Sequence, residues 1–258
     1  MQSRLLRGLN HDRQEQLRSI RHQHLASEVG LHKPTEWPSD VRRLIVYCAG
    51  WGTDGAVIQH MQIPANTDLL VCWDYRDLRL DFDCQGYTEC HLVAWSMGVW
   101  AAEQLLSHWP WRSACAINGT PYPKHAQWGI NPKIFDATLE GLDTAGRHKF
   151  ERRMCSDAEQ LQVYQALSSR PLEEIREELQ QINVALEYEQ HKESQNQQSC
   201  LEQASITWTQ AIVSEQDRVI PTAHQLAYWQ LQEVPIRLVP GAHYLWGSFN
   251  AWEQICQL

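Results

Sequence analysis

The sequence lacks the marks of a membrane or secreted protein. No apolar run reaches the length that spans a bilayer, and the N-terminus has no apolar stretch ending in small residues. Neither a membrane partner nor a secretory leader is therefore expected. Paired cysteines are missing too. The eight cysteines stand singly at 48, 72, 84, 90, 115, 155, 200 and 256, with no CxxC among them. Cys48, Cys72 and Cys115 lie inside apolar runs, where cysteine is a small reduced hydrophobe. A cytoplasmic location is expected over a disulfide framework. The formal net charge is −9, which argues against nucleic acid as the main partner. Internal repeats are absent. His22 and His24 have no spaced acid or cysteine beside them, so no metal or other cofactor is expected.

What is present is the material of one globular domain. Hydrophobic residues make up 43% of the 258, enough for a sizeable core. Residues 1–40 are polar, with a helical pattern from His11 to Val29, and read as an N-terminal extension without assigned chemistry. From Val41 the chain turns to short β-prone runs. Leu44–Ala49, Leu69–Trp73, His91–Trp95 and Ala114–Ile117 read as buried parallel strands, followed much later by Ile206–Val213 and Pro235–Val239. Strands separated by helical stretches imply an α/β fold, a mostly parallel doubly wound sheet with helices on both faces.

Between Thr120 and Ala204 that rhythm gives way to four helical patterns, Pro132–Leu142, Gly146–Cys155, Asp157–Ser168 and Leu172–His191. Residues 121–204 are accordingly read as a helical cap inserted into a core of 41–120 and 205–258. Such a cap would cover the C-terminal edge of the sheet, where open α/β sheets bind ligands. The polar tract Gln190–Gln198 reads as its flexible exit.

The chemistry starts at Ala94-Trp95-Ser96-Met97-Gly98, which follows a buried strand and opens the helical run Val99–Ser107. This is a nucleophile elbow with Ala94 in place of the usual first glycine. Small residues at ±2 fit a strained strand-to-helix turn that lifts the Ser96 hydroxyl out of the sheet. The same five residues also fit a serine that merely caps a helix. Downstream context favours the elbow. Asp217 sits in the loop after one strand, shortly before Pro221, and His243 follows Gly241 after the next strand. Serine, acid, histidine is the chain order of α/β-hydrolases. In that chemistry the imidazole takes the serine proton, and the carboxylate fixes the tautomer and stabilises the imidazolium. Glu215 is the rival acid, and His224 and His91 are rival bases.

Gly50-Trp51-Gly52-Thr53-Asp54-Gly55 follows the first strong strand. In a hydrolase the backbone N–H of Trp51 would donate to the oxyanion, with the N–H of Met97 as second donor. The same residues match GxGxxG, and Asp74 ends the next strand, so a dinucleotide-binding oxidoreductase is the competing class. Against it, Ala56–Gln62 is short for a crossover helix, and the three triad candidates would go unused. A non-catalytic binding module on a hydrolase scaffold is a third reading.

Several runs resemble the pimeloyl-acyl carrier protein methyl ester esterases of the BioG type. They are Ala49-Gly50-Trp51-Gly52, Asp74-Tyr75-Arg76-Asp77-Leu78, Leu92-Val93-Ala94-Trp95-Ser96-Met97-Gly98-Val99-Trp100, Ile117-Asn118-Gly119-Thr120 and Lys149-Phe150-Glu151-Arg152-Arg153. The segments around Asp217 and His243 join them, so the likeness runs from about residue 41 to the end. It implies an α/β-hydrolase that cleaves the methyl ester of pimeloyl-acyl carrier protein, releasing methanol, in biotin synthesis. It also implies Ser96, Asp217 and His243 as triad, with Trp51 and Met97 at the oxyanion site. The partner would be an acidic carrier protein. Arg147, Lys149, Arg152 and Arg153 offer it a local positive surface, although they equally suit a solvated helix face paired with Glu151 and Asp157. Phe135, Leu139 and Phe150 would line an acyl channel or pack the cap, and Trp51, Trp95 and Trp128 pocket or core. A short-chain carboxylesterase or thioesterase remains open on the triad chemistry alone.

Overall fold

A computed structural model describes residues 1–7, 42–168, 170–196 and 206–256. Its strands are β1 (Gln2–Arg7), β2 (Arg43–Cys48), β3 (Thr67–Trp73), β4 (Glu89–Trp95), β5 (Trp111–Ile117), β6 (Gln210–Ser214) and β7 (Ile236–Val239). They form one sheet in the order β1-β3-β2-β4-β5-β6-β7. β2 to β7 pair in parallel, and β1 runs antiparallel along the edge of β3. The central strands are buried on both faces, which is why they read as continuous apolar runs.

Three expectations need correction. The stretch taken as an extension supplies β1, a polar edge strand whose partner lies some 65 residues on. The helical pattern at His11–Val29 falls outside the described residues. β6 begins at Gln210 rather than Ile206. The Ile206 N–H and the Trp208 indole N–H instead donate to the Glu103 carboxylate, which draws these residues onto a helix and out of the ladder.

The third concerns the helices. Among the described residues only α1 (Met97–Leu106) and α6 (Thr222–Leu231) flank the sheet, and both pack on the same face. Val99, Ala102, Tyr228 and Trp229 share one cluster with Leu44, Val46, Leu92 and Val213. No α-helix lies in the β2–β3 and β3–β4 connections; the first holds only a 3-10 turn at Gly55–Ile58. The second face is closed by that turn and by residues 244–256, and its centre is aromatic. Tyr47 and Trp246 meet edge-on at 5.0 Å between ring centroids, and Trp95 and Trp246 at 6.0 Å.

Between β5 and β6 stand α2 (Pro132–Glu140), α3 (Thr144–Met154), α4 (Ala158–Leu167) and α5 (Leu172–Asn196). Asn131, Asp143 and Asp157 each accept a first-turn N–H with their side chains, which is why the helical run divides where it does. α5 continues through most of the tract read as a flexible exit, as far as Asn196. These helices lie over the carboxyl ends of the strands. α5 contacts the loops after β2 and β3, and the carbonyl of Met154, the last residue of α3, accepts the Tyr244 N–H beyond β7.

Candidate active site

Ser96 joins β4 to α1 at φ 58°, ψ −125°, a conformation an L-residue adopts only under constraint. Its N–H donates to Ile117 O at 2.8 Å and its carbonyl accepts the Val99 N–H at 3.0 Å, so both sides of the turn are held. Gly98 is required by close approach: a Cβ there would collide with the carbonyl oxygens of Cys48 and Ala49. Ala94 is fully buried, so a small residue suffices where the motif usually has glycine. Ser96 makes no side-chain cap bond to the helix it opens, which removes the simple capping role.

Asp217 and His243 come from the loops after β6 and β7. His243 Nε2 lies 2.9 Å from Ser96 Oγ and its Nδ1 2.7 Å from Asp217 Oδ2. The second carboxylate oxygen accepts the N–H groups of Val219 at 2.8 Å and Ile220 at 3.0 Å, and Gln225 Nε2 donates to Oδ2 at 2.8 Å. With Nδ1–H directed at the carboxylate, Nε2 is left as the acceptor for the serine proton, the arrangement a general base needs. The rivals are elsewhere. Glu215 is exposed, His224 bonds to Gly129 O at 2.8 Å, and His91 is sealed within the sheet against Ser113 Oγ at 2.8 Å.

The loop after β2 supports a hydrolase rather than a nucleotide site. Gly55 opens a four-residue 3-10 turn, too short to present a helix N-terminus to phosphates. Asp74 bonds to Arg76 at 2.7 and 2.8 Å and faces Arg170 at 3.5 Å, so it is committed to ion pairs. Burial pushes its carboxyl up, but the hydrogen bonds from Arg76 and the charges of Arg170 and Arg76 outweigh this and hold it below its ordinary range. Trp51 lies in that loop beside the serine turn. Met97 begins α1, where a backbone N–H has no intrahelical acceptor.

A narrow cavity opens next to Met97, the residue after the serine, lined by Trp51 and Met97 from the core and Ile134, Phe135, Phe150 and Arg153 from the helices above. Trp51 and Phe150 meet edge-on at 5.0 Å. Trp95 is core, beside the His243 ring, and Trp128 stacks on His125 at 4.5 Å away from the cavity. Leu139 packs against the core.

The four cap cations do not act as a set. Arg147 bonds to Glu151 at 2.9 Å and to the carbonyl of Arg170 at 3.0 Å, a structural assignment. Lys149 and Arg152 are exposed. Arg153 points inward to the cavity wall with its guanidinium 5.4 Å from the Phe150 ring centroid, and burial lowers its pKa. Helical spacing alone could not separate these, because one turn of α3 faces solvent on one side and the cavity on the other.

Sequence reasoning missed the residues that hold Ser96, Asp217 and His243 in place. Gln225 anchors Asp217, and Asn118 donates to His243 O at 2.9 Å while accepting the Ser214 N–H at 2.7 Å. Glu178, Arg170 and Asp74 tie the cap to the core. The resemblance did mark Asn118 and Asp74, without giving their work. Among the described residues no group of three or more His, Cys, Asp or Glu is placed to hold a metal, and no helix is long and apolar enough to cross a membrane.

A family model described as pimeloyl-ACP methyl esterase BioG matches residues 35–255. The chain belongs to the BioG family. BioG proteins are carboxylic ester hydrolases of biotin biosynthesis, and their family acts on an acyl group carried by acyl carrier protein. The crystal structure of BioG from Haemophilus influenzae superposes with a TM-score of 0.75 at 38% identity, over 85% of this chain and 97% of that one. A protein of Haemophilus influenzae described as uncharacterized is 39% identical over 212 residues, 82% of this chain and 93% of its own. A malonyl-[acyl-carrier protein] O-methyltransferase of Bacteroides fragilis is 39% identical over 209 residues, which span 79% of this chain but 40% of that protein. AqdC, solved for ring-cleavage of the Pseudomonas quinolone signal, superposes at TM-score 0.55 with 16% identity over 83% of this chain and 86% of its own. That likeness shows the α/β-hydrolase fold alone.

Proposed function

We propose that this BioG-family chain hydrolyses the methyl ester of pimeloyl-acyl carrier protein through Ser96, His243 and Asp217. The observation that supports this most is the unbroken hydrogen-bond chain from Ser96 Oγ through both ring nitrogens of His243 to Asp217, beside an apolar cavity. Ser96 Oγ attacks the ester carbonyl as its proton passes to His243 Nε2. The oxyanion of the tetrahedral intermediate accepts the N–H groups of Trp51 and Met97. Collapse breaks the bond to the methoxy oxygen, which takes the proton from His243 and leaves as methanol. Water then attacks the acyl-serine with His243 again as base, returning the serine and releasing the free carboxylate. The Asp217 carboxylate steadies the imidazolium.

The apolar walls suit a methylene chain. The carrier would dock on the cap, where Lys149 and Arg152 are the exposed cations of the four first considered. Arg153 is better suited to a polar group of the acyl or its linker at the cavity wall. A cytoplasmic location is part of the proposal, and the seven described cysteines, all free and six of them buried, suit it.

The test compares pimeloyl-carrier methyl ester, dimethyl pimelate and p-nitrophenyl butyrate as substrates of the parent and Ser96→Ala. The carrier-bound ester should have the highest kcat/KM, and Ser96→Ala should lose at least about 1,000-fold on all three. An undiminished Ser96→Ala would end the proposal. A parent that prefers the aryl ester would assign a general carboxylesterase instead.

A further inference from the structure

The loop that carries Trp51 is held from two sides. Thr53 N–H and Thr53 Oγ both donate to Gly50 O, at 3.2 and 2.6 Å. They close a four-residue turn and fix the Gly50–Trp51 peptide, whose N–H is the Trp51 donor. Gly52 stands third in this turn at φ 74°, where a side chain would be strained. The peptide between Trp51 and Gly52 is the unit that flips between the common turn types. Its N–H donates to Glu178 Oε2 at 3.2 Å.

Glu178 belongs to α5 in the cap and has no exposed surface. Its other oxygen accepts the Tyr75 N–H at 2.9 Å, and Arg170 donates to Oε2 at 2.6 Å. One helical turn earlier, Ile175 O accepts the Trp51 indole N–H at 2.9 Å. A carboxylate in this setting is costly to bury, and burial pushes its pKa up against the pull of Arg170 and the two amides. A cap that only covered the sheet could pack an apolar residue here. We propose that Glu178 is a positioning residue for the oxyanion hole: by accepting the Gly52 N–H it lets the cap hold the turn that presents the neighbouring Trp51 N–H. This rests on the reading of Trp51 as an oxyanion donor in a Ser96 hydrolase.

Glu178 does not line the cavity, so its loss should affect the transition state more than ground-state binding. Oxyanion donors gain their effect from being fixed before charge develops, and losing one costs about 100- to 1,000-fold in rate. Loosening one should cost about 10- to 100-fold. Arg170 belongs to the same device: it neutralises a carboxylate that would otherwise oppose the developing oxyanion.

The experiment uses the full chain, Glu178→Gln, Glu178→Asp and Ser96→Ala, with p-nitrophenyl butyrate, which needs no carrier. Active sites are titrated with a fluorophosphonate, so that kcat refers to the folded fraction alone. Glu178→Gln keeps the shape, and Glu178→Asp keeps the charge but withdraws it by one methylene. Both should lower kcat per titrated site at least tenfold with KM within twofold. Inhibition by a trifluoromethyl ketone, which forms an oxyanion on the serine, should weaken in parallel. A merely structural role would lower the titre and leave kcat per site and ketone inhibition unchanged; that result overturns the proposal. If Ser96→Ala is dead while both Glu178 variants keep kcat, only the positioning role falls. If Ser96→Ala remains active, the underlying hydrolase reading falls with it.

Discussion

Asp217 shows how much of a site lies in its supporting bonds. Four hydrogen bonds converge on its carboxylate, from Val219, Ile220, Gln225 and His243. The first two are fixed by the loop itself, so the oxygen facing His243 has little freedom left. In Asp217→Asn, the amide group that turned toward His243 would donate to Nδ1 and enforce the opposite tautomer, with Nε2 protonated and unable to act as base. Steady-state kinetics should then show kcat reduced about 10,000-fold in a protein with unchanged circular dichroism. A loss under tenfold would remove Asp217 from the proposed triad. At this scale Ser96, Asp217 and His243, which the fold brings within hydrogen-bond distance, are legible as candidates, because each follows an apolar strand in a fixed chain order. Gln225 and Asn118 are not, since a polar residue reveals its partner only when distant loops meet.

Among the elements, the connection from β3 to α5 carries the clearest consequence. Asp74, just beyond β3, faces Arg76 and Arg170, and Arg76 reaches on to Glu177 of α5 at 2.7 Å. The Asp74 carboxyl is held below its ordinary value of about 3.9. Its contribution to stability is therefore fully present above that value and is lost as pH falls through the lower folded one. Melting temperature followed from pH 5 to pH 3 should fall less steeply in Asp74→Asn than in the parent. Equal slopes would show that the clamp adds nothing. The strands here are readable from their apolar runs, whereas helices on both faces follow only from the general form of a doubly wound sheet, and the β2–β3 and β3–β4 connections hold none. β1 escaped notice for a different reason: it has two leucines among polar residues, and its register is set by a strand far along the chain.

For the whole molecule, the net charge of −9 opposes an acidic partner unless local cations offset it. Lys149→Glu with Arg152→Glu should raise KM for pimeloyl-carrier methyl ester about 3- to 10-fold and leave p-nitrophenyl butyrate unaffected. Equal losses on both substrates would point to a damaged cap and sink the docking role.

One feature of the sheet governs when the protein can fold. The face built around Tyr47 and Trp95 is roofed by Trp246, Phe249 and Trp252. During synthesis, at about 5–20 residues per second, β2 to β5 leave the ribosome many seconds before those rings do. The nascent chain must therefore keep a wide greasy surface in waiting, and holding chaperones should engage it until residues 244–256 emerge.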